Sequence, residues 1–368
     1  MHRLLPIALL RPCPRLPQPN LILSRLLITT SGLRSTVAKP SVALLARLRQ
    51  ETQVPLTKAK EALVNTNNDY DAALAWLRED EQASGAKKAE KVKGRTASEG
   101  LVGVAGVEAM GRGAGMVTRG AIIELNCETD FVSRNPAFQT LATQVATTVL
   151  FLHDLAPATN SSRCIHTLPL DLVLSAPLLP LPTFDPDSLD PSTTTVQQSI
   201  LALIGKLGEN ISLRRAAVVS PLLAPARTSR DRLLLTSHYV HGGTGTTGKI
   251  GSLVVLSISG AAAGPGETVG RLGRNLARQV VGYTPRYIHE ADMPVGEAAE
   301  EAVLMRQGYM MGKGETVKET VEQVAQELGE GVKVEVVDFV RWEGGEGIER
   351  KEEDFVGEVM RAAGKARV

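Results

Sequence analysis

Between residues 41 and 80, apolar positions recur at the i, i+3, i+4 spacing of one-sided helices. Leu44, Leu45 and Leu48 make one face, Ala59, Ala62 and Leu63 a second, and Tyr70, Ala73, Leu74 and Leu77 a third. Asn67-Asn68-Asp69 supplies a turn and an N-cap signal ahead of the last. The pattern predicts a three-helix module over 39–81, with too few residues to build a large core of its own. From Gly100 the period shortens to that of strands. Residues 101–107 and 116–126 flank a Gly111-Arg112-Gly113 turn and read as a hairpin. A helical face then returns over 136–152, carried by Phe138, Leu141, Ala142, Val145 and Val149. The same succession recurs downstream. Strands are expected at 214–219, 233–240 and 251–259, a helix over 267–281 bearing Leu272, Leu276 and Val280, and an alternating strand over 333–342. Strand, strand, helix twice over predicts an α+β body: a two-subdomain core of antiparallel sheets with packed helices, divided as 100–220 and 221–368.

Two stretches interrupt this pattern. Residues 82–99, with Lys87, Lys88, Lys91, Lys93 and Arg95 among Ala, Gly and Glu, read as a solvated linker or an exposed helix. Residues 155–195 are dense in Pro, Ser and Thr. A structureless loop of about forty residues is uncommon inside a compact domain, so this segment reads as a surface insertion in the first subdomain.

Charge separates the first residues from the rest. Residues 1–50 hold eight Lys or Arg and no Asp or Glu, and Arg3, Arg11, Arg15, Arg25 and Arg34 punctuate runs of Leu and Ile. With Thr29, Thr30, Ser31 and Ser35 near its end, the segment 1–38 has the composition of an organellar import presequence, cleaved near residues 31–39. Its apolar runs are too short and too often broken by Arg and Pro to span a membrane. The expected address is the mitochondrial matrix, with a disordered cytosolic tail as the alternative. Setting these 50 residues apart leaves 33 basic against 40 acidic residues, a net of −7. That balance argues against a phosphate backbone as the main ligand. Three cysteines, Cys13, Cys127 and Cys164, make neither a disulfide framework nor a paired zinc motif, which fits a reducing compartment.

Three local motifs bear on chemistry. Residues 243–249, Gly-Thr-Gly-Thr-Thr-Gly-Lys, match the spacing of a phosphate-binding loop. Such a loop needs a following Ser or Thr and a helix whose N-terminal amides face the phosphates, whereas here Ile250 opens an expected strand. A hairpin tip is the better reading. His238 and His241, three apart in a strand, point to opposite faces and make no metal site. Asp130-Phe131 sits at a corner between an expected strand and helix, where an aromatic usually folds inward and an Asp usually caps. No catalytic Ser/His/Asp set and no paired carboxylates stand out, so no catalytic residue, metal or cofactor is assigned.

The longer string around that corner is specific. Glu124-Leu125-Asn126-Cys127-Glu128-Thr129-Asp130-Phe131-Val132-Ser133-Arg134 resembles, at every position, the signature of the elongation factor Ts family, the guanine-nucleotide exchange factors of elongation factor Tu. Further segments agree in order: Leu48-Arg49, Thr52 and Lys60-Glu61-Ala62-Leu63; the run from Lys206-Leu207-Gly208-Glu209-Asn210 to Arg214-Arg215; His241-Gly242 with Ile250-Gly251; and Val337-Asp338-Phe339-Val340-Arg341-Trp342-Glu343 with Gly345-Glu346-Gly347-Ile348-Glu349. The resemblance runs from about residue 42 to the C-terminus. It implies that the N-terminal module is ubiquitin-associated-like and that the core has two subdomains. Bacterial relatives carry a coiled-coil insertion in the second subdomain, for which residues 293–332 leave no room, as in the short mitochondrial form. Pro55 departs from the Gly or Ser of the family, beside the apolar contact positions Leu56 and Thr57.

The resemblance further implies a mechanism. Thr129, Asp130, Phe131 and Val132 form a nucleotide-release tip: Phe131 wedges into the nucleotide domain of elongation factor Tu while Asp130 positions it. Leu56, His241 and Gly242 are the matched positions for further contacts. The partner implied is mitochondrial elongation factor Tu, GDP-bound and nucleotide-free, with no direct nucleic acid and no membrane. An adaptor that binds ubiquitin-like proteins through residues 41–80 remains the alternative.

Overall fold

The computed structural model describes residues 39–52, 54–108, 117–152, 163–181, 194–219, 232–260, 266–294 and 300–349. The expected presequence, the expected turn at 111–113 and much of the 155–195 segment lie outside the described residues. The chain divides into two compact units, Met1–Ala73 and Leu74–Val368.

In the first unit, α1 (Val42–Thr52) buries Leu48 and α2 (Leu56–Asn65) buries Ala59, Ala62 and Leu63. These are the positions that the helical spacing selected. Asn67 and Asn68 adopt positive φ values of 52° and 64°, a conformation Asn tolerates better than most residues. The turn also ties down the chain entry: Asn68 accepts a hydrogen bond from the Ser41 amide at 2.8 Å and donates one to the Lys39 carbonyl at 3.0 Å. Helix α3 (Tyr70–Val92) starts here and extends through the second unit's first residues. Of the two readings for 82–99, it makes 82–92 helical.

The second unit is built on antiparallel strands in the order β3-β4-β2-β5-β7-β8, with β1 beside β2 and β6 beside β1. The expected first hairpin is β1 (Glu99–Glu108) on β2 (Val117–Cys127), in register from Glu99↔Cys127 to Val107↔Arg119. The second is β5 (Arg232–His241) on β7 (Ile250–Ser259), and β8 (Lys333–Glu343) pairs along β7. Between them lie β4 (Ser212–Val219), which pairs β2, and the two-residue β6 (Thr247–Gly248). Strand alternation sorts the side chains into separate clusters. Ala121, Ile123 and Leu125 of β2 face α5 (Pro136–Phe151) and α7 (Val196–Leu207), meeting Phe138, Leu141, Val145, Leu203 and Ile204. Val254, Leu256 and Ile258 of β7 face α8 (Gly266–Tyr283) and α9 (Val317–Leu328) through Leu272, Leu276, Val280, Val317 and Val321. The intervening positions make a third cluster: Val102, Val104 and Ile122 from the first half, and Leu253, Val255 and Trp342 from the second. The result is helix, strand, strand, helix in layers. Gly251 lies where β7 passes close to β1, since a Cβ there would stand 2.5 Å from Val102 Cγ1. The two halves therefore share a core and a ladder contact, Val117↔Thr236.

One expectation needs correction. Part of the 155–195 segment is core rather than a surface insertion. β3 (Ile165–Thr167) pairs with β4, and α6 (Leu170–Ser175) follows. Leu168, Val173 and Leu178 are buried against α5 and α7. The prolines misled because Pro169 occupies the N-cap of α6 with φ −59°, a geometry its ring favours. Between α8 and β8, the described residues hold only short 3₁₀ turns and α9, which leaves no coiled coil among them. No helix of the described residues is long and apolar enough to cross a membrane.

Candidate functional site

The corner after β2 is built by a local sequence that forces one side chain out. Thr129 is extended (φ −121°, ψ 156°) and caps the four-residue helix α4 (Asp130–Ser133) by accepting from the Val132 amide at 3.4 Å. Ser133 Oγ donates to the Asp130 carbonyl at 2.8 Å, and Asn135 then caps α5 by accepting from the Ala137 amide at 2.9 Å, with Pro136 at the first helical position. Adjacent helical residues lie about 100° apart around the axis, and here the two middle positions divide between core and solvent. Val132 is 8% exposed and joins the core under α5, while Phe131 is 81% exposed. An aromatic left in water forgoes about 2 kcal/mol of burial free energy, and a corner so firmly capped holds it there. Asp130 pairs with Arg134 at 2.9 Å, one turn on.

Two glutamates bind this corner to the α7–β4 connection. Glu209 accepts from the Thr129 amide at 3.0 Å and from Thr129 Oγ1 at 2.6 Å. Glu128 returns the contact, accepting from the Asn210 amide at 2.6 Å. Arg95, just beyond α3, lies 3.6 Å from Glu128 and accepts through its carbonyl from Asn210 Nδ2 at 2.8 Å. Gly208, at φ 77°, ends α7 in the left-handed conformation and turns the chain into position for Glu209. Sequence reasoning assigned no role to Glu209, Asn210 or Arg95. For Glu209 and Asn210 the only signal was their membership of a matched string, and Arg95 was named only among the basic residues of 82–99.

The tip borders a groove of about 530 Å³ lined by Asp130, Ser133 and Arg134 on one side and by Gly242, Gly243 and Lys249 on the other, with Glu99, Gly100 and Leu101 between. Thus Asp130 and Gly242, separate in sequence, share one concavity. His241 is exposed at the last position of β5, and Gly242 turns the chain at φ 70°. Leu56, 51% exposed at the first position of α2, belongs to the first unit.

The loop 243–249 is folded on itself. The Thr247 amide donates to the Thr244 carbonyl at 3.2 Å, the Thr246 carbonyl accepts from the Val104 amide at 2.8 Å, and Lys249 Nζ pairs with Glu99 at 2.8 Å. The strand β7 follows directly, where a phosphate loop would run into a helix. His238 and His241 sit in β5 as expected, and no cluster of His, Cys, Asp and Glu among the described residues could hold a metal ion. Cys127, beneath the tip, donates from Sγ to the Thr129 carbonyl at 3.2 Å. Burial, with Glu209 and Glu99 adding, pushes its thiol up to about 12, so it carries no thiolate for chemistry at neutral pH.

Three matched segments of the second unit, those holding Glu124, Arg214-Arg215 and 342–346, meet at one buried cluster. Glu124 of β2, fully buried, pairs with Arg214 at 2.9 Å and with Arg215, and accepts from the Gly345 amide at 2.8 Å. Arg215 stacks 4.6 Å over the Trp342 ring and approaches Glu346 at 3.6 Å.

Fold and comparisons together define a translation elongation factor. The family described as Elongation factor TS matches residues 128–300. A mitochondrial elongation factor Ts of Coprinopsis cinerea is 39% identical over 331 residues, covering 84% of this chain and 93% of its own length. Those of Laccaria bicolor and Cryptococcus neoformans var. neoformans are 38% and 37% identical, covering 84% and 86% of this chain and 92% and 90% of theirs. The chain belongs to the elongation factor Ts family, as one of its mitochondrial members.

Proposed function

We propose that this protein is a guanine-nucleotide exchange factor that binds mitochondrial elongation factor Tu carrying GDP and drives GDP release during translation elongation. The observation that carries this reading is the exposed Phe131 on a capped corner rooted by the buried Val132. Phe131 enters the nucleotide domain as a wedge, Asp130 and Thr129 hold the approach, and Leu56, His241 and Gly242 add anchoring contacts. Residues 39–81 act as a ubiquitin-associated-like module, followed by the connecting segment 82–99 and core subdomains 100–220 and 221–368. Residues 1–38 act as the presequence that directs import to the matrix.

The energetics are attainable. A GDP complex of nanomolar affinity that forms at about 10⁶ M⁻¹s⁻¹ dissociates at about 10⁻³ s⁻¹. Acceleration by about 10³ to 10⁴ asks for about 4–5.5 kcal/mol off the barrier, a scale that loss of magnesium and phosphate contacts supplies. By linkage, if this protein weakens GDP by some factor, GDP weakens this protein equally. The exchange factor thus needs no nucleotide site of its own.

The test is stopped-flow release of a fluorescent GDP from mitochondrial elongation factor Tu, alone, with the mature chain, and with its Phe131→Ala variant. Strong acceleration by the parent and little by the variant is expected. No acceleration by either would sink the exchange reading, and equal acceleration would remove Phe131 from it.

A further inference from the structure

We propose that Glu128 and Glu209 form a reciprocal latch that positions the Phe131 tip, with Glu209 its principal positioning residue. This rests on the exchange reading above. The latch has a specific geometry. The residue preceding Thr129 holds the amide of Asn210, while the residue preceding Asn210 holds the amide and hydroxyl of Thr129, so each connection caps the other. Carboxylate acceptors on backbone amides are among the stronger hydrogen bonds, and these three measure 2.6–3.0 Å. They act on the cap residue of α4, one position from Asp130 and two from Phe131. Without them, α4 keeps its internal contacts, the 3.4 Å Thr129 cap, the Ser133–Asp130 bond and the Asp130–Arg134 pair, but loses its tie to the α7–β4 connection.

A tip that works by insertion must arrive in one orientation. A misplacement of about 1 Å at a working group costs about a hundredfold in rate. The latch pre-pays that ordering before the partner arrives, so its loss lowers the rate within the complex more than it weakens formation of the complex. The arm from Arg95 extends the device to the chain just beyond α3, since Arg95 both approaches Glu128 and accepts from Asn210. Phe131 itself touches the partner, whereas Glu209 acts only through Thr129.

The experiment measures release of fluorescent GDP from elongation factor Tu over a range of concentrations of the full mature chain, giving a maximal rate and a half-saturating concentration. Parent, Phe131→Ala, Glu209→Ala, Glu209→Gln and Thr129→Val are compared. Amide hydrogen exchange of 129–134 is followed in each free chain. Glu209→Ala should cut the maximal rate about tenfold to a hundredfold while the half-saturating concentration stays within about twofold. Glu209→Gln should recover most of the rate, because its amide oxygen still accepts from the Thr129 amide. Thr129→Val keeps the shape but removes both the hydroxyl's contact to Glu209 and its cap on the Val132 amide, so its loss should overlap with that of Glu209→Ala and the two should not add in full. Exchange at 129–134 should quicken in Glu209→Ala while β4 and β7 stay protected. A Glu209→Ala chain that matches the parent rate beside an inactive Phe131→Ala overturns the latch and leaves the exchange reading intact. Loss of protection throughout the sheet also overturns it, in favour of a general structural role. A parent that fails to accelerate release overturns the exchange reading itself, and the role of the latch with it.

Discussion

Glu124 accepts a hydrogen bond from the amide of Gly345 at 2.8 Å, joining points 221 residues apart. The same fully buried carboxylate pairs with Arg214 and Arg215, whose side chains are 32% and 28% exposed. Removing it strands two partly buried guanidinium groups and one amide, and breaking such a buried ionic cluster costs about 3 kcal/mol. Glu124→Ala should therefore lower the thermal midpoint by about 4–6 °C, and Glu124→Gln by less. Circular dichroism melts decide it. A shift under about 2 °C would show that the cluster contributes little net stability.

Gly208 offers a separable test of backbone geometry. It sits at φ 77°, and a Cβ there would meet nothing within 4 Å. Gly208→Ala should thus cost only the left-handed strain, about 1 kcal/mol, with no steric contribution. Chemical denaturation measures this. A loss above about 3 kcal/mol would mean that the turn before Glu209 tolerates far less relaxation than open space implies.

Legibility in the sequence followed the range of the interactions. Helices α5 and α8, strands β7 and β8 and the first hairpin were readable because hydrophobic period is a local property; α8, for example, was expected over 267–281 and runs Gly266–Tyr283. The corner was legible as a junction ahead of Pro136, but its caps are Thr129 and Asn135 rather than Asp130, and Phe131 stands exposed where an aromatic ordinarily folds inward. Its latch was not legible, because Thr129 and Glu209 stand 80 residues apart and neither carries a local signal of the other. Glu124 was equally silent: a charged residue between Ile123 and Leu125 gives no hint of partners 90 and 91 residues away. The short α6 was hidden by the proline that caps it, β3 is only three residues long, and 82–92 stayed open between linker and exposed helix because its charged run lacks an apolar stripe.

Cys127 predicts an alkaline dependence. Its thiol is raised from an ordinary value of 9.0 to about 12, chiefly by burial. Above pH 9 the unfolded chain loses this proton while the folded chain keeps it, so the unfolded state binds fewer protons and stability falls as pH rises. The contribution is complete below pH 9 and is lost on the way to pH 12. Denaturation midpoints should consequently decline more steeply for the parent than for Cys127→Ala between about pH 9 and 10.5. Parallel slopes would show that the thiol titrates alike in both states.

The loop at 243–249 predicts the absence of an activity that its spelling suggests. A phosphate held by a glycine-rich loop needs converging free amides, a free lysine and a helix N-terminus behind them. Here the Thr247 amide is committed to Thr244, Lys249 is paired with Glu99, and Ile250 begins a strand whose ladder runs to Ser259. Gly248 is packed so closely that a Cβ would stand 2.6 Å from the His241 carbonyl oxygen. Opening the loop around a phosphate would break these contacts together with the β1–β6 pairing at Val102↔Gly248. Titration of the purified chain with fluorescent GDP and magnesium should accordingly show no saturable binding up to about 100 μM, a ceiling equivalent to about −5.5 kcal/mol. Lys249→Ala should leave that titration unchanged while loosening amide protection at Glu99. Micromolar binding that Lys249→Ala abolishes would make the loop a nucleotide site after all, and the protein something other than a factor acting only through its partner's nucleotide.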